Sequence, residues 1–210
     1  MGVVDSVFVH PSALCETADV GPGTRIWAFA HVMEGVRIGR NCSIGDHAFI
    51  ETGVVIGDRV TVKNQVLIWE GIHIEDDAFI GPGVVFTNDL YPRSPRMDLE
   101  AVCGRYRDRA NWLRSTRVCR GASLGAGAVI GPGITLAEYS MVGAGSLISR
   151  SVAAHQMVFG NPGRARGWVC VCGLPLKPKG SSLWTCQCDL RFRETTEGQL
   201  EPIASSTGDV

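Results

Sequence analysis

Large aromatic side chains, a dominant charge and long apolar runs are all missing from this sequence. Aromatic residues make up 7% of the 210 positions, whereas glycine occurs 26 times, so large rings cannot fill most of the core. The many small and aliphatic residues favour tightly stacked short strands instead. The formal net charge of −1 argues against general electrostatic binding of nucleic acids or membrane surfaces.

Membrane and secretion signals are missing as well. No apolar stretch approaches the roughly 20 residues that a membrane-spanning helix requires. The first residues do not show the charged segment followed by an apolar segment that marks a secretory signal. We therefore expect a cytoplasmic protein without a membrane or nucleic-acid partner.

An apolar residue recurs every six positions through the first half of the chain. The twelve positions of this run are Val20, Ile26, Val32, Ile38, Ile44, Ile50, Ile56, Val62, Ile68, Ile74, Ile80 and Phe86. A small or aliphatic residue usually follows four positions later, as at Ala30, Ala48 and Val66. A period of six matches neither a 3.6-residue helix nor the two-residue alternation of an uninterrupted strand. It predicts an all-β protein, a parallel β-helix of short strands and tight turns with three strands to a coil of eighteen residues.

The repeat stops after Phe86 and resumes at Val118, 32 residues later. Thirty-two residues are five hexads and two residues, so a continuous coil would have lost its phase. We therefore predict that residues 89–117 leave the β-helix at one corner as an extruded loop. Long loops on a rigid scaffold often carry the functional residues of a protein.

Five segments resemble a known family: "GTRIWAFAHVMEGVRIGRNCSIG", "WEGIHIEDDAFIGPGVVFTNDLYPRS", "RGASLGAGAVI", "YSMVGAGSLI" and "VFGNPGRARGWVC". The sequence is similar to the left-handed β-helix acyltransferases and, more narrowly, to the nucleotide-sugar 3-N-acetyltransferases. The resemblance implies a left-handed β-helix, a homotrimer and acetyl-CoA bound between neighbouring β-helices. It implies acetylation of the 3-amino group of a dTDP-linked 3-amino-3,6-dideoxyhexose. The alternative substrate is a UDP-linked 3-amino-2-acetamido uronate.

Other functions are compatible with a bare hexad repeat. A non-catalytic scaffold is one alternative, although an arginine-rich insertion has little use in a purely structural solenoid. Acylation of a different amine or hydroxyl is another. A γ-class carbonic anhydrase requires three clustered histidines, and the five histidines of this chain lack that spacing. The glycine pairs of the second half suit repeat turns better than a phosphate-binding loop.

Four residues are candidates for catalysis. Asn88 lies where the repeat ends, and its amide accepts a hydrogen bond from an amine or donates one to an oxyanion; in the resembling family, the asparagine of "FTN" lines the reaction centre. Glu70 precedes Asn88 by eighteen residues, or one coil, so we expect both on one corner. Asp89 is a candidate to orient the substrate or accept a proton, and His31 is the best-matched histidine. The structural alternatives are turn initiation by Asn88 or Asp89, a surface Glu70 and a packing role for His31.

The insertion is rich in arginine, and guanidinium groups match the oxygens of a nucleotide-sugar diphosphate. We predict that Tyr91, Arg93 and Arg96 bind the substrate; a solvated charged loop is the alternative. Small residues of the second half are predicted to leave backbone N–H groups open to the pantetheine arm of acetyl-CoA, and they are Gly125, Ala126, Ala144 and Gly145. By the resemblance, the nucleotide end of CoA meets Asn161, Pro162 and Arg164.

Two C-x-C pairs follow the last hexads, at Cys170 and Cys172 and at Cys186 and Cys188. Four thiolates that converge on one point form a tetrahedral structural zinc site, and disulfides are uncommon in cytosolic chains. The sequence therefore predicts zinc in the tail, with unligated or redox-active thiols as the alternative. The predicted organisation is a β-helix domain over residues 1–167, a zinc-ribbon-like tail over 168–193 and a disordered C-terminus over 194–210.

Overall fold

Most strands in the computed structural model, which describes residues 6–203, are two residues long. The strands of the β-helix are β1 (Phe8–Val9), β2 (Leu14–Cys15), β3 (Arg25–Ile26), β4 (His31–Val32), β5 (Arg37–Ile38), β6 (Ser43–Ile44), β7 (Phe49–Ile50), β8 (Val55–Ile56), β9 (Thr61–Val62), β10 (Leu67–Ile68), β11 (Ile72–Ile74), β12 (Phe79–Ile80), β13 (Val85–Phe86), β14 (Thr116–Val118), β15 (Ser123–Leu124), β16 (Val129–Ile130), β17 (Thr135–Leu136), β18 (Met141–Val142), β19 (Leu147–Ile148), β20 (Gln156–Phe159) and β21 (Arg164–Trp168). The strands of the tail are β22 (Lys177–Pro178), β23 (Leu183–Thr185), β24 (Arg191–Glu194) and β25 (Leu200–Ile203). Between β13 and β14 lie the short helix α1 (Glu100–Cys103) and two 3₁₀ turns (Arg105–Arg107 and Arg109–Asn111). No helix among residues 6–203 has the length and apolar character needed to cross a bilayer.

Parallel strands pair into three sheets that form the faces of the β-helix. Face 1 stacks β1, β3, β6, β9, β12, β15, β18 and β20; face 2 stacks β2, β4, β7, β10, β13, β16 and β19; face 3 stacks β5, β8, β11, β14 and β17. The register advances by eighteen residues per coil, since Arg25 pairs with Ser43 and Ser43 pairs with Thr61. We number the coils from the N-terminus, so that β3–β5 form coil 2, β9–β11 form coil 4 and β12–β14 form coil 5. The predicted parallel β-helix is confirmed.

The hexad residues line the inside of the coils. Ile26, Ile44 and Ile80 are completely buried, and so are the small residues Ala30 and Val66 that follow four positions later in their hexads. Large and small side chains thus alternate around each triangular cross-section, as close packing of successive layers requires. The outward residues of each two-residue strand remain free to vary without disturbing this core.

Tight turns at the three corners explain the many glycines. The third residue after most hexad positions has a positive φ, for example 60° at Phe29 and 67° at Gly145. Glycine adopts this left-handed backbone without strain. A different glycine position, directly after the hexad residue, lies against the next coil: a Cβ on Gly45 would stand 2.6 Å from the carbonyl carbon of Lys63. We call the corner between faces 1 and 2 the glycine corner, and the corner between faces 2 and 3 the loop corner.

The tail is a four-stranded antiparallel sheet that packs on a small core of its own, in which Trp168 and Phe192 are buried. The predicted end of ordered structure at residue 194 is wrong in part. Strand β25 pairs with β24 and places Leu200 in the tail core, so an apolar residue among polar neighbours holds one more strand. Residues 204–210, the rest of the predicted disordered segment, lie outside the described residues.

Candidate active site

The extruded loop leaves the β-helix at the loop corner of coil 5, between β13 and β14. It covers residues 87–115 rather than the predicted 89–117, because Thr116 and Arg117 already pair with Ile72 and His73 in face 3. The Arg114 N–H donates to the carbonyl of Asn88 at 2.9 Å, so the two ends of the loop meet at its neck. The loop thus stands on the rigid β-helix at one fixed place.

The loop corner brings Asn88 and Glu70 together, as their spacing of eighteen residues predicts. The Asn88 amide Nδ2 donates to the backbone carbonyl of Glu70 at 3.1 Å. The Glu70 carboxylate is 17% exposed and forms an ion pair with Arg109 of the loop at 2.7 Å. The Glu70 N–H in turn donates to a carboxylate oxygen of Glu51 at 2.8 Å. An amide and a carboxylate therefore share one small area under the loop.

Asp89 is held inside the loop. Its carboxylate accepts hydrogen bonds from the Tyr106 hydroxyl at 2.7 Å and the Tyr91 N–H at 2.9 Å, and it pairs with Arg105. Burial raises the pKa of Asp89, but the hydrogen bonds and the Arg105 charge outweigh it, so the pKa lies below its ordinary value. The carboxylate stays ionised, and its geometry favours the turn-forming interpretation over proton acceptance.

The predicted substrate residues lie on the outside of the loop. Tyr91 is 74% exposed, and the guanidinium of Arg93 donates to the neighbouring Pro92 carbonyl at 3.0 Å. Within residues 6–203, Arg93 and Arg96 form no ion pair, whereas Arg105, Arg107, Arg109 and Arg117 are each paired with an acidic residue. The loop therefore keeps two of the predicted cations available for an anionic ligand.

His31 does not join this cluster within one chain. It lies on β4 in face 2, three coils away from β13, or roughly 14 Å at the usual strand spacing of about 4.8 Å. Its Nε2 lies 3.3 Å from the Glu16 carboxylate, and its ring meets Phe49 edge-on at 5.4 Å. These contacts favour the structural alternative for His31.

The predicted cofactor residues lie at the glycine corner of coils 6 and 7. The N–H groups of Gly125 and Gly145 are already bonded to the carbonyls of Val142 and Ala126, each at 2.8 Å. Within the described part of the chain, the N–H groups of Ala126 and Ala144 have no backbone acceptor. Two of the four predicted amides are therefore open, and two serve the coil stacking.

An apolar groove of about 370 Å³ runs beside these turns, lined mainly by Phe79, Leu124, Met141, Val142 and Ala144. The segment with Asn161, Pro162 and Arg164 lies at the C-terminal end of the same corner. There the Gly160 N–H donates to the Ser146 hydroxyl at 3.0 Å, and the Gly163 N–H donates to the Leu147 carbonyl at 2.8 Å. All three predicted side chains are exposed.

The two predicted half-sites therefore occupy different corners of one chain. Asn88 and Glu70 lie at the loop corner, whereas Ala126 and Ala144 lie at the glycine corner, with face 2 between them. A single chain does not bring them together. A site that uses both needs the loop corner of one copy and the glycine corner of another.

The four tail cysteines converge on one point. Their sulfurs all lie within 4.8 Å of one another, with 3.5 Å between Cys170 and Cys188 and 3.4 Å between Cys172 and Cys186. Burial raises the pKa of Cys170 to about 12, whereas the Leu174 N–H lowers the pKa of Cys172 to about 7. The arrangement has the donor set and compactness of a four-thiolate metal site.

Some residues of this region were not predicted from the sequence. Arg109 covers Glu70, and Tyr106 and Arg105 hold Asp89, but all three lie in an insertion without periodicity. Spacing gives no register there, so no sequence signal identified their partners. Glu51 lies in the repeat, nineteen residues before Glu70. The spacing of about one coil could therefore have indicated that the two residues are neighbours.

Comparison with known proteins agrees with this picture. Residues 17–52 match the bacterial transferase hexapeptide family (six repeats), and residues 114–150 match the hexapeptide repeat of succinyl-transferase. The chain is 46% identical to dTDP-3-amino-3,6-dideoxy-alpha-D-galactopyranose 3-N-acetyltransferase from Aneurinibacillus thermoaerophilus over 189 residues. The aligned stretch covers 90% of this chain and 92% of that protein. The chain belongs to the nucleotide-sugar 3-N-acetyltransferase family. The family resemblance predicted from the sequence is confirmed.

Solved structures share the fold of this N-acetyltransferase. The acetyltransferase domain of PglB from Neisseria gonorrhoeae matches with a TM-score of 0.53 and 18% identity, over 77% of this chain and 58% of that chain. The same domain in complex with acetyl coenzyme A matches with a TM-score of 0.53 and 19% identity, over 76% of this chain and 57% of that chain. This chain thus spans little more than half of those chains, and the likeness is one of fold.

The Asp89 network generates a prediction about the loop. Because the folded pKa of Asp89 is lowered, its stabilising contribution is complete above the ordinary value of about 3.9 and is lost as the pH falls through the lowered folded value. We expect Asp89→Asn to increase hydrogen exchange of residues 87–115 at neutral pH. The parent should show a similar increase only below about pH 4, after correction for intrinsic exchange.

Asp98→Asn is the matched control, because Asp98 is an exposed loop carboxylate without an ion pair among the described residues. We expect this variant to exchange like the parent at every pH. Equal exchange of the parent and Asp89→Asn at neutral pH would show that Asp89 does not hold the loop.

Proposed function

We propose that this protein is an acetyl-CoA-dependent N-acetyltransferase for the 3-amino group of a dTDP-linked 3-amino-3,6-dideoxyhexose. The observation that carries the proposal is the 46% identity to a relative with that activity over almost the whole chain. The contact between Asn88 and Glu70 supports it, because a rigid corner holds an amide donor beside a carboxylate at the neck of an arginine-bearing loop.

The reaction joins the 3-amino nitrogen to the thioester carbon of acetyl-CoA and then breaks the bond between that carbon and sulfur. One N–H of the Asn88 amide bonds to Glu70, and the other is available to stabilise the oxyanion of the tetrahedral intermediate. The Glu70 carboxylate accepts a hydrogen bond from the amine and aims its lone pair at the carbonyl. The departing CoA thiolate takes the amine proton, so the step uses no histidine.

Acetylation assays with several nucleotide-linked amino sugars test the proposed function directly. Purified protein should acetylate dTDP-3-amino-3,6-dideoxyhexoses in the presence of acetyl-CoA and should leave UDP-linked 3-amino uronates largely unmodified. Mass spectrometry of the products identifies the acetylated nitrogen. Absence of acetylation with every amino sugar would favour a scaffold, and acetylation of the UDP-linked sugars alone would reassign the nucleotide.

Asn88→Ala sharpens this test. Loss of an oxyanion donor should lower kcat about a hundred- to a thousandfold at saturating substrates. Thr52→Ala is the matched control, since the Thr52 hydroxyl donates to the Glu34 carbonyl at 2.8 Å in the same column two coils below. The control removes the same kind of bond away from the reaction centre and should keep the parent rate. Equal rates for the two variants would contradict the role of Asn88.

We further propose that the active protein is a homotrimer in which each site lies between two copies. The separation of the loop corner from the glycine corner supports this assembly, because neither half-site is complete alone. Face 2, which lies between the two corners, presents mainly apolar side chains outward, including Phe49, Leu67, Val85, Val129 and Leu147. Such a surface suits contact with other copies better than contact with water.

Complementation between inactive copies tests the shared site. Asn88→Ala lacks the oxyanion donor, and Ala144→Glu places a charged side chain in the apolar groove. Each variant alone should have less than about a hundredth of the parent rate. Unfolding and refolding the two together should restore a measurable fraction of activity, because some sites then combine two unaltered corners. If the mixed trimers recover no activity, the shared site is contradicted. It is also contradicted if mass measurement shows that the active protein is a monomer.

We also propose that the tail holds one structural zinc ion per chain through Cys170, Cys172, Cys186 and Cys188. Tetrahedral zinc with Zn–S bonds of about 2.3 Å places its sulfurs about 3.8 Å apart, close to the spacing of these four thiols. Zinc would cross-link the start of the tail to the turn between β23 and β24. Its contribution is to folding of the tail, and the proposed reaction requires no metal.

Metal analysis tests this site. The parent should contain one zinc per chain, and Cys186→Ser should lose it and unfold the tail while the hexad repeat keeps its circular dichroism. Cys103→Ser is the matched control, because Cys103 lies in the extruded loop and should not affect metal content. A fully folded, metal-free parent would contradict the zinc proposal.

A further inference from the structure

The Glu70 carboxylate has a counter-charge on one of its two oxygens. The Nη1 atom of Arg109 lies 2.7 Å from Oε1, and the guanidinium is exposed on its outer side. Within residues 6–203, the second oxygen, Oε2, forms no hydrogen bond. Glu70 therefore presents one oxygen that is paired with a cation and one that is free to accept a hydrogen bond from a ligand.

A second carboxylate makes this counter-charge more important. Glu51 lies on the coil below, and its carboxylate accepts the Glu70 N–H at 2.8 Å. Without Arg109, the corner would hold two neighbouring carboxylates with no cation between them. A carboxylate within about 4–6 Å of an amine favours the protonated, charged form of that amine. Two carboxylates would favour the ammonium form still more strongly.

The other charged groups around the neck of the loop do not replace Arg109. Asp89 and Arg105 pair with each other. The Asp108 carboxylate accepts a backbone N–H of the turn that carries Arg109, at 2.9 Å. The Arg114 guanidinium donates to two backbone carbonyls of the loop, each at 3.3 Å. In the described part of the chain, Arg109 is therefore the cation that offsets the carboxylates of this corner.

The proposed reaction cannot use an ammonium ion. Aliphatic amines are largely protonated at neutral pH, and a protonated nitrogen has no lone pair with which to attack the thioester carbon. A bare carboxylate at the reaction centre would therefore bind the acceptor in its unreactive form. A carboxylate that already carries a guanidinium can accept a hydrogen bond from the neutral amine without holding a further proton on it.

We propose that Arg109 is a positioning residue that keeps the acceptor amine at Glu70 in its neutral form. The ammonium ion of the free substrate gives one proton to water as it enters the site, because the guanidinium already neutralises the carboxylate. The neutral amine then donates a hydrogen bond to Oε2 and keeps its lone pair for the thioester carbon. Arg109 acts through Glu70 and through its charge. This inference rests on the proposed function, because it assigns Arg109 a role in that reaction.

The pH dependence of kcat tests the inference, since kcat reports the groups that titrate in the enzyme–substrate complex. Arg109→Gln removes the charge, so the bound amine should keep its proton to a higher pH. We expect the acidic limb of kcat to move up by about one pH unit, with kcat about tenfold lower at neutral pH and close to the parent value above about pH 9. The KM for the sugar should fall together with kcat, because the ammonium form binds unproductively. Arg109→Lys keeps the charge and should restore the parent limb.

A purely structural role would give a different result. A variant that only loosens the loop should lose rate at every pH. Arg107→Gln is the matched control, because it breaks a loop ion pair of the same kind, between Arg107 and Glu100 at 2.7 Å. This control should keep the parent limb. An unchanged limb in Arg109→Gln, or an equal loss of rate at every pH, would overturn the inference and leave the acetylation itself in place.

Proton release on binding separates the inference from the proposed function. The parent in complex with coenzyme A is titrated with dTDP-3-amino-3,6-dideoxyhexose in buffers of different ionisation enthalpy, so that binding is measured without acetyl transfer. The parent should release about one proton per bound sugar at neutral pH, and Arg109→Gln should release far less. This difference in a protein that acetylates no amino sugar would support the role of Arg109 and reject the proposed function. Equal proton release by parent and variant would overturn the inference, and a parent that neither binds nor acetylates any sugar nucleotide would overturn both.

Discussion

The hydrogen bonds between successive coils are the constraint on which the rest of the structure depends. Each coil places its N–H groups opposite the carbonyls of the next, as Thr87 does with Ile130 at 2.9 Å and Gly125 with Val142 at 2.8 Å. Because buried backbone groups must be paired, the register cannot slip by one residue without exposing a whole column of the core. The corner that a residue occupies therefore follows from its position within eighteen residues.

This constraint explains how Asn88 and Glu70 come to lie together, since residues at intervals of eighteen stack above one another at one corner. Glu34, Thr52, Glu70 and Asn88 follow one another at intervals of eighteen along the loop corner. Thr52 bonds to the carbonyl of Glu34, and Asn88 makes the equivalent bond to Glu70. The difference lies at Asn88 itself, where coil 5 continues into the loop instead of a tight turn. Arg109 of the loop can then reach Glu70 and pair with its carboxylate.

The same reasoning sets the limit of prediction from the sequence. The hexad spacing predicts the faces, the buried residues, the corner of Asn88 and Glu70 and the place where the loop leaves, since all of these depend on counting. Inside the loop there is no period, so the contacts of Asp89 with Tyr106 and Arg105 depend on a unique chain path. The open backbone amides can be predicted from the spacing only in part. The N–H groups of Gly125 and Gly145 form hydrogen bonds between coils, whereas those of Ala126 and Ala144 lie in the turns and form no such bond within the described residues. Strand β25 was missed because a single buried residue, Leu200, holds it among polar neighbours.

A stack of coils has open ends, and at the C-terminal end the tail contacts the last coil through His155, in addition to the pairing of β21 with β20. His155 lies between the ring of Tyr139, stacked at 5.3 Å, and the ring of Phe192 from the tail at 5.0 Å, and its Nδ1 lies 3.0 Å from the Val169 carbonyl. Burial lowers the pKa of His155, which favours the neutral ring, and the tautomer that carries its proton on Nδ1 donates a hydrogen bond to the Val169 carbonyl. The cysteine cluster begins one residue after Val169, so order in the cluster fixes the residue that His155 bonds. The tail is therefore connected to the final coil and to the Asn161–Arg164 segment beside it, and only indirectly to Asn88, three coils away. Disturbance of the cysteines should reach the C-terminal end of the glycine corner before it reaches the loop corner.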